Sequence, residues 1–172
     1  MNLMILTRLL LGPIYICIMI NTQNPQFAER VRTYLQRQHF MHHIGFELDV
    51  IAEGRTEGWL AIEQQHQQQK GFVHGGVVAT LADIVAGFAA YTVVPATHHV
   101  VTADLRTAYL NPGTGQRLHA KGWVVKQGRR MCFCEAEVWD VHADKRIMIS
   151  KAAATMAVVT PDDVPPPHTQ QP

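Results

Sequence analysis

Asp83 is the single charge in an otherwise apolar run, Val77 to Val94 (VVATLADIVAGFAAYTVV), and it lies nine residues after the His74 of His74-Gly75-Gly76. A helix that is apolar on every side is buried on every side. An ionised carboxylate inside it is costly unless it is paired, hydrogen-bonded or used in chemistry. Desolvation raises the basicity of such a carboxylate, which suits it to act as general base or nucleophile. The glycines supply the complementary chemistry. Backbone N–H groups around Gly75 and Gly76 lie at a helix start, where unpaired donors and the dipole favour negative charge. Glycine lets a substrate approach the backbone closely, and donors of this kind stabilise a developing oxyanion. The polar stretch Gln64 to Lys70 just before the motif offers a side-chain donor as well.

Spacing limits how these groups can cooperate. Gly75 and Asp83 are eight residues apart, or about 12 Å along a helix. One reacting carbonyl cannot sit within hydrogen-bond reach of both, which is about 3 Å. If both serve one reaction, the acid comes from a second subunit's helix lying alongside, and a composite site at a dimer interface is expected.

The elements that must position these residues can be read from pattern and turn signals. Pro25 opens an amphipathic helix reaching about Phe40. Two strand-like runs follow, Ile44 to Ala52 and Thr56 to Glu63, joined through Glu53-Gly54-Arg55 as a hairpin. Gln64 to Lys70 reads as a loop. Pro95 closes the apolar helix, and four strands come next: His99 to Leu110, Arg117 to Lys126, Arg130 to Val141 and Arg146 to Val159. The short turns between them favour antiparallel pairing of consecutive strands. In the first of the four, alternation puts Val101, Ala103, Leu105, Thr107 and Tyr109 on one face and Thr102, Asp104 and Arg106 on the other. An α+β domain over residues 25–160 is expected, with a sheet curled about the apolar helix and a second copy covering its remaining side.

Composition narrows the function. A 47% hydrophobic, 17% charged chain of 172 residues with net charge +1 supports one globular domain and gives no electrostatic case for a nucleic-acid partner. Ten histidines are scattered without zinc-ligand spacing, so no metal is expected. Cys132 and Cys134 are two apart on one strand face and poorly placed to bond each other, and Cys17 stands far away. Reduced thiols in a cytoplasmic protein are the simpler reading. Residues 1–24 form an apolar extension outside the fold, read as an upstream-start artefact with a membrane anchor as the alternative. The proline-rich residues 161–172 have nothing to pack and are expected to be disordered.

His74-Gly75-Gly76 with Leu81-Ala82-Asp83, then Val101-Thr102-Ala103-Asp104-Leu105 and Tyr109-Leu110-Asn111-Pro112, resembles the hotdog-fold thioesterases of the phenylacetate-degradation (PaaI-like) type. The likeness runs from about Met41 to Val159. It implies an antiparallel β-sheet wrapped around a long central helix, homodimers that pair again into tetramers, and acyl-coenzyme A thioester substrates hydrolysed without a cofactor. By the same resemblance Asp83 is the base or nucleophile, Gly75 the donor that polarises the carbonyl, and His74 its support. Gln68, flanked by Gln67 and Gln69, falls where relatives orient the carbonyl or the attacking water, and Thr102 falls near that water. Arg129, Arg130 and Lys126 are the candidates for the coenzyme A phosphates, with a merely solvated turn as the alternative. Gly87 departs from relatives that carry a threonine one turn beyond the acid, which argues against a hydroxyl-assisted variant. A non-catalytic acyl-CoA-binding module and an enoyl-CoA hydratase or dehydratase of the same fold are the competing functions.

Overall fold

The computed structural model describes residues 20–163; the expected N-terminal extension up to residue 19 and the tail from residue 164 lie outside the described residues. Two short helices come first, α1 (Phe27–Leu35) and α2 (His39–Ile44), then β1 (Phe46–Ala52) and β2 (Arg55–Ala61). The long α3 (Gly75–Tyr91) precedes β3 (His99–Tyr109), β4 (Arg117–Gln127), β5 (Met131–His142) and β6 (Lys145–Val159). Single 3₁₀ turns occupy Gln64–His66, inside the expected loop, and Pro161–Asp163. The single N-terminal helix expected from Pro25 to Phe40 is in fact two. Tight backbone bonds from Arg37 to Tyr34 and from Gln38 to Leu35 end the first. The second turns Met41 and Ile44 into the core and stops at Gly45, which takes the left-handed conformation (φ 70°) that glycine tolerates.

All six strands form one antiparallel sheet in the order β1-β2-β4-β5-β6-β3. Short turns join β1 to β2, β4 to β5 and β5 to β6 as neighbours, as expected. The pattern fails between β3 and β4, because β3 pairs with β6 at the opposite side of the sheet. The connecting residues cross the ends of the intervening strands. Leu110 N donates to Ile149 O and Asn111 Nδ2 to Met148 O, both on β6. Next, the buried Asp140 carboxylate of β5 accepts Thr114 N and Gly115 N, at 2.8 and 2.9 Å. A turn that looks like a hairpin is therefore a strap, and β3 is left as an edge strand of 11 residues, mostly exposed.

The sheet curls around α3 and meets it closely at Gly122, where an added Cβ would lie 2.4 Å from the backbone of Val85. Nearby, buried Thr56 donates its hydroxyl to Val85 O at 2.7 Å. Leu81 and Val85 of α3 pack with Leu60, Leu118, Val138 and Met156 of the sheet to form the core. The C-terminal end of α3 is clamped. Gly54 N donates to Thr92 Oγ1, Thr22 Oγ1 to Thr92 O and Gln127 Nε2 to Val93 O, at 2.7, 2.7 and 2.8 Å. Residues 20–24, grouped by sequence with the extension, thus run against the end of this helix, and Ile20 packs on the core. The expectation of burial on every side does not hold within one chain: Thr80, Asp83, Ile84 and Gly87 form a partly exposed stripe on α3.

The sheet's outer face carries a polar cluster that sequence reading did not single out. Glu57 and His119, 6% and 5% exposed, approach at 3.0 Å, with Lys121 3.6 Å from Glu57 and Arg55 also bound to it. Trp59 stacks on His119 at 4.0 Å, and Arg146 meets His119 Nδ1. Burial opposes ionisation of Glu57, but Arg55, Lys121 and His119 together outweigh it and hold its pKa below 4.5. Burial, then Arg146, holds His119 below its ordinary 6.5, against the pull of Glu57. In both cases the unfolded chain binds the proton more readily, so the stabilisation is complete above the unfolded pKa and is lost as pH falls through the folded one. The melting temperature is expected to drop as pH is lowered from 7.5 to 5, and His119→Gln to lessen that slope. A scanning-calorimetry series with equal slopes in both proteins would contradict this assignment.

Cys132 and Cys134 are free, as their spacing suggests, and both are buried. Burial raises both thiols, Cys134 to about 12. Neither is poised as a nucleophile.

Candidate active site

His74 is extended (φ −65°, ψ 135°) and caps α3. Its Nδ1 accepts the Gly76 N–H at 2.9 Å. One of the two glycine donors is consumed in this way. The Gly75 N–H, first in the helix, has no acceptor among the described residues, and it is the donor left for a ligand. Tyr109, at the end of β3, donates its hydroxyl to Gly75 O at 3.0 Å. Its ring would lie 3.4 Å from a Cβ at position 75. The preceding loop folds back through Gln68 N to Phe72 O and Gly71 N to Gln68 O, with Gly71 at φ 80°. This fold places Gln68 in a cleft of about 340 Å³ with Gly75 and Tyr109, while Gln67 and Gln69 stay exposed. His74, Gly75 and Gln68 are thus brought together.

Asp83 and Thr102 form the other half. Thr102 Oγ1 donates to Asp83 Oδ1 at 2.7 Å and lies 3.5 Å from Met156 Sδ. The second carboxylate oxygen has no side-chain or backbone partner among the described residues. Simple alternation puts Thr102 and Leu105 on opposite faces of β3, and that expectation is wrong. The register against β6 slips between Thr102 and Asp104, leaving Ala103 as a bulge. The extra residue reverses the alternation, so Thr102 reaches Asp83 while Leu105 also packs towards the core. Asp83 and Thr102 border a cavity of about 380 Å³ between α3 and β3, distinct from the Gln68–Gly75 cleft. Within one chain the two halves do not share a cavity.

Lys126, Arg129 and Arg130 are exposed around the β4–β5 turn. Arg129 borders a depression with Pro95 and His98, beyond the C-terminal end of α3. They are therefore remote from Gly75 in the same chain. Tyr109 is the neighbour of the site whose contact sequence reasoning missed; its place at the end of a strand-like run next to Asn111-Pro112 was visible, but not the direction of its hydroxyl. Among the described residues no cluster of three or more His, Cys, Asp or Glu side chains is placed to hold a metal ion. Among them, too, no helix is long and apolar enough to cross a membrane.

Comparison with known proteins identifies the family to which this fold belongs. Residues 70–145 match the model of the thioesterase superfamily. A Caenorhabditis elegans protein named "Putative esterase" is 33% identical over 121 residues, covering 67% of this chain and 71% of that one. The medium/long-chain acyl-CoA thioesterase YigI of Escherichia coli K12 is 28% identical over 102 residues, 52% of this chain and 64% of that protein's length. A thioesterase family protein of Silicibacter pomeroyi superposes with a TM-score of 0.76 at 29% identity, over 78% of this chain and 98% of that one. A phenylacetic acid degradation-related protein of Ralstonia eutropha shares the fold (TM-score 0.66, 18% identity, 76% of this chain and 98% of that one). The chain belongs to the thioesterase superfamily and has its hotdog fold.

Proposed function

We propose that this protein hydrolyses acyl-coenzyme A thioesters, releasing a free acid and coenzyme A. The observation that carries the reading is the carboxylate of Asp83, which borders a cavity with one oxygen held by Thr102 and the other without a partner among the described residues. In this mechanism the unpartnered oxygen takes a proton from water as that water attacks the thioester carbon; the C–S bond then breaks and the leaving coenzyme A thiolate takes up the proton. Alternatively Asp83 attacks the carbon itself, the thiolate leaves, and water hydrolyses the acyl-aspartyl anhydride to free the acid. The Gly75 N–H receives the negative charge that develops on the carbonyl oxygen. Gln68, across the same cleft, orients the carbonyl or the water.

The donor and the acid belong to two protomers of a homodimer. Three features support this: the eight-residue separation along one rigid helix, the two separate cavities, and the exposed length of β3. A long unpaired edge is a template for pairing with another chain, and a second β3 beside it would bring the partly exposed stripe of α3 towards its partner's. The basic turn at Lys126, Arg129 and Arg130 then serves coenzyme A bound at a site on another protomer, since in its own chain it lies past the closed end of α3. Pairing of such dimers into tetramers remains part of this proposal.

Steady-state release of free thiol from a panel of aryl and straight-chain acyl-CoAs tests the activity. At least one substrate is expected to turn over. Tight acyl-CoA binding with no thiol released would replace hydrolysis by a binding role. Hydration of an enoyl-CoA without thiol release would make the protein a hydratase instead.

A further inference from the structure

The Asp83 cavity extends in one direction only. The α3 residues that border it lie at or after Asp83 (Ile84, Gly87, Phe88, Tyr91), and those of β3 at or before Thr102. It runs from the acid towards the clamped end of α3, under a roof of Tyr34, Gln38 and Met41 from the N-terminal helical segment. Its lining beside Asp83 is apolar, from Ile84, Phe88, Val100, Val101 and Met156.

At its far end three rings close on one another. Tyr34 and Tyr91 meet edge-on with centroids 5.2 Å apart, and His99 lies 5.7 Å from Tyr34 and 6.1 Å from Tyr91. Arg30 braces this cluster. Its guanidinium sits 4.1 Å from the Tyr91 centroid and 5.7 Å from that of Tyr34. The same group donates to Pro95 O at 2.9 Å and to His98 O. A cation held over two rings and tied to two backbone carbonyls keeps those rings from swinging aside. Tyr91 itself is 6% exposed and packs against Phe88.

We infer that Tyr34, Tyr91 and His99 form the end wall of an acyl pocket and limit the straight chains it accepts to about eight to ten carbons, an estimate from helix rise and bond reach. This rests on Asp83 being the site of thioester attack, which puts the carbonyl at the mouth. Asp83 and Tyr91 are eight residues apart, or about 12 Å along the helix. An extended chain advances about 1.2 Å per bond, from the backbone repeat of three bonds per residue. That distance therefore holds about ten bonds, fewer once the tilt of the Tyr91 side chain towards the helix N-terminus is counted. The wall is built by α1 folding over the end of α3, so its specificity depends on the segment before the first strand.

Calorimetric affinities of S-alkyl coenzyme A thioethers test the wall, because a thioether cannot be hydrolysed and the result does not depend on turnover. Alkyl chains of four to sixteen carbons are compared, with thiol release from the matching acyl-CoAs measured in parallel. In the wild type, affinity is expected to rise about fourfold for each buried methylene and to stop rising at about eight to ten carbons, by the same length estimate. Tyr34→Ala, at a partly exposed position, is expected to move that break by two or more carbons, raising the ratio of twelve- to eight-carbon affinity about tenfold. Tyr34→Phe keeps the ring and should keep the break. Affinity that climbs without a break to sixteen carbons in the wild type, or a break unmoved in Tyr34→Ala, would overturn the inference. An intact break with no thiol released would reject hydrolysis and leave the wall standing.

Discussion

Asp83→Asn is expected to lower kcat on every accepted acyl-CoA by about 10²–10⁴-fold, the range a positioned general base contributes. The substitution separates chemistry from folding unusually well. Asparagine has the shape of aspartate, and its carbonyl oxygen can still accept the Thr102 hydroxyl that now reaches Oδ1 at 2.7 Å. No ion pair is lost, because Asp83 makes none among the described residues. What disappears is the basic, negatively charged oxygen facing the cavity. KM should change little, since the amide still fills the same volume, and the melting temperature should stay close to wild type. Wild-type turnover in purified Asp83→Asn on each active substrate would remove Asp83 from the mechanism.

Gly75→Pro tests the other half of the site by replacing the amide hydrogen with a ring carbon. Proline suits the first position of a helix, where the N–H has no helical partner. It also requires an extended residue before it, and His74 already has ψ 135°. Gly75 is not among the glycines with positive φ. The Tyr109 ring, 3.4 Å from a Cβ there, is in ordinary van der Waals contact with it and is exposed enough to shift for the rest of the proline ring. Loss of the donor is expected to cost about 10²–10³-fold in kcat, the effect of removing one oxyanion-hole hydrogen bond. The composite site adds a sharper expectation. A dimer holding one Gly75→Pro chain and one Asp83→Asn chain has one site with both groups intact and one with neither. Co-expressed and purified as the mixed species by two different tags, it should recover about half the wild-type rate, by counting sites in a two-fold dimer. A mixed dimer as inactive as its parents would show that the donor and the acid act within one chain.

The parts of this molecule that were legible in the sequence are those governed by local pattern. An apolar run closed by Pro95 and opened by paired glycines specifies α3, and the lone charge within it marks Asp83. Three hairpins follow from their turn residues. Non-local geometry was not legible. The connection at Asn111-Pro112-Gly113 has turn chemistry, yet its neighbours are chosen by Asn111 bonding β6 and Asp140 gripping Thr114 and Gly115. Strict alternation misplaced Thr102 because a single extra residue, Ala103, carries no signal of its own. The end of the cavity was invisible for the same reason: Arg30, Tyr34, Tyr91 and His99 come from three elements and meet only when α1 folds over α3. Gln68 is an intermediate case, singled out from three adjacent glutamines by its distance to His74 and then set apart from its neighbours by its place in the cleft.

The unequal anchoring of the two ends of α3 bears on how such a protein can diverge. Three residues drawn from separate segments fasten the Thr92 end, whereas the Gly75 end keeps an uncommitted amide beside an exposed tyrosine. The floor of the cavity belongs to the fastened end and the reacting groups lie towards the other. On the proposed reading, exchange of Tyr34 or its neighbours would change the cargo while Gly75 and Asp83 stay in register, so preference and catalysis would be separable traits.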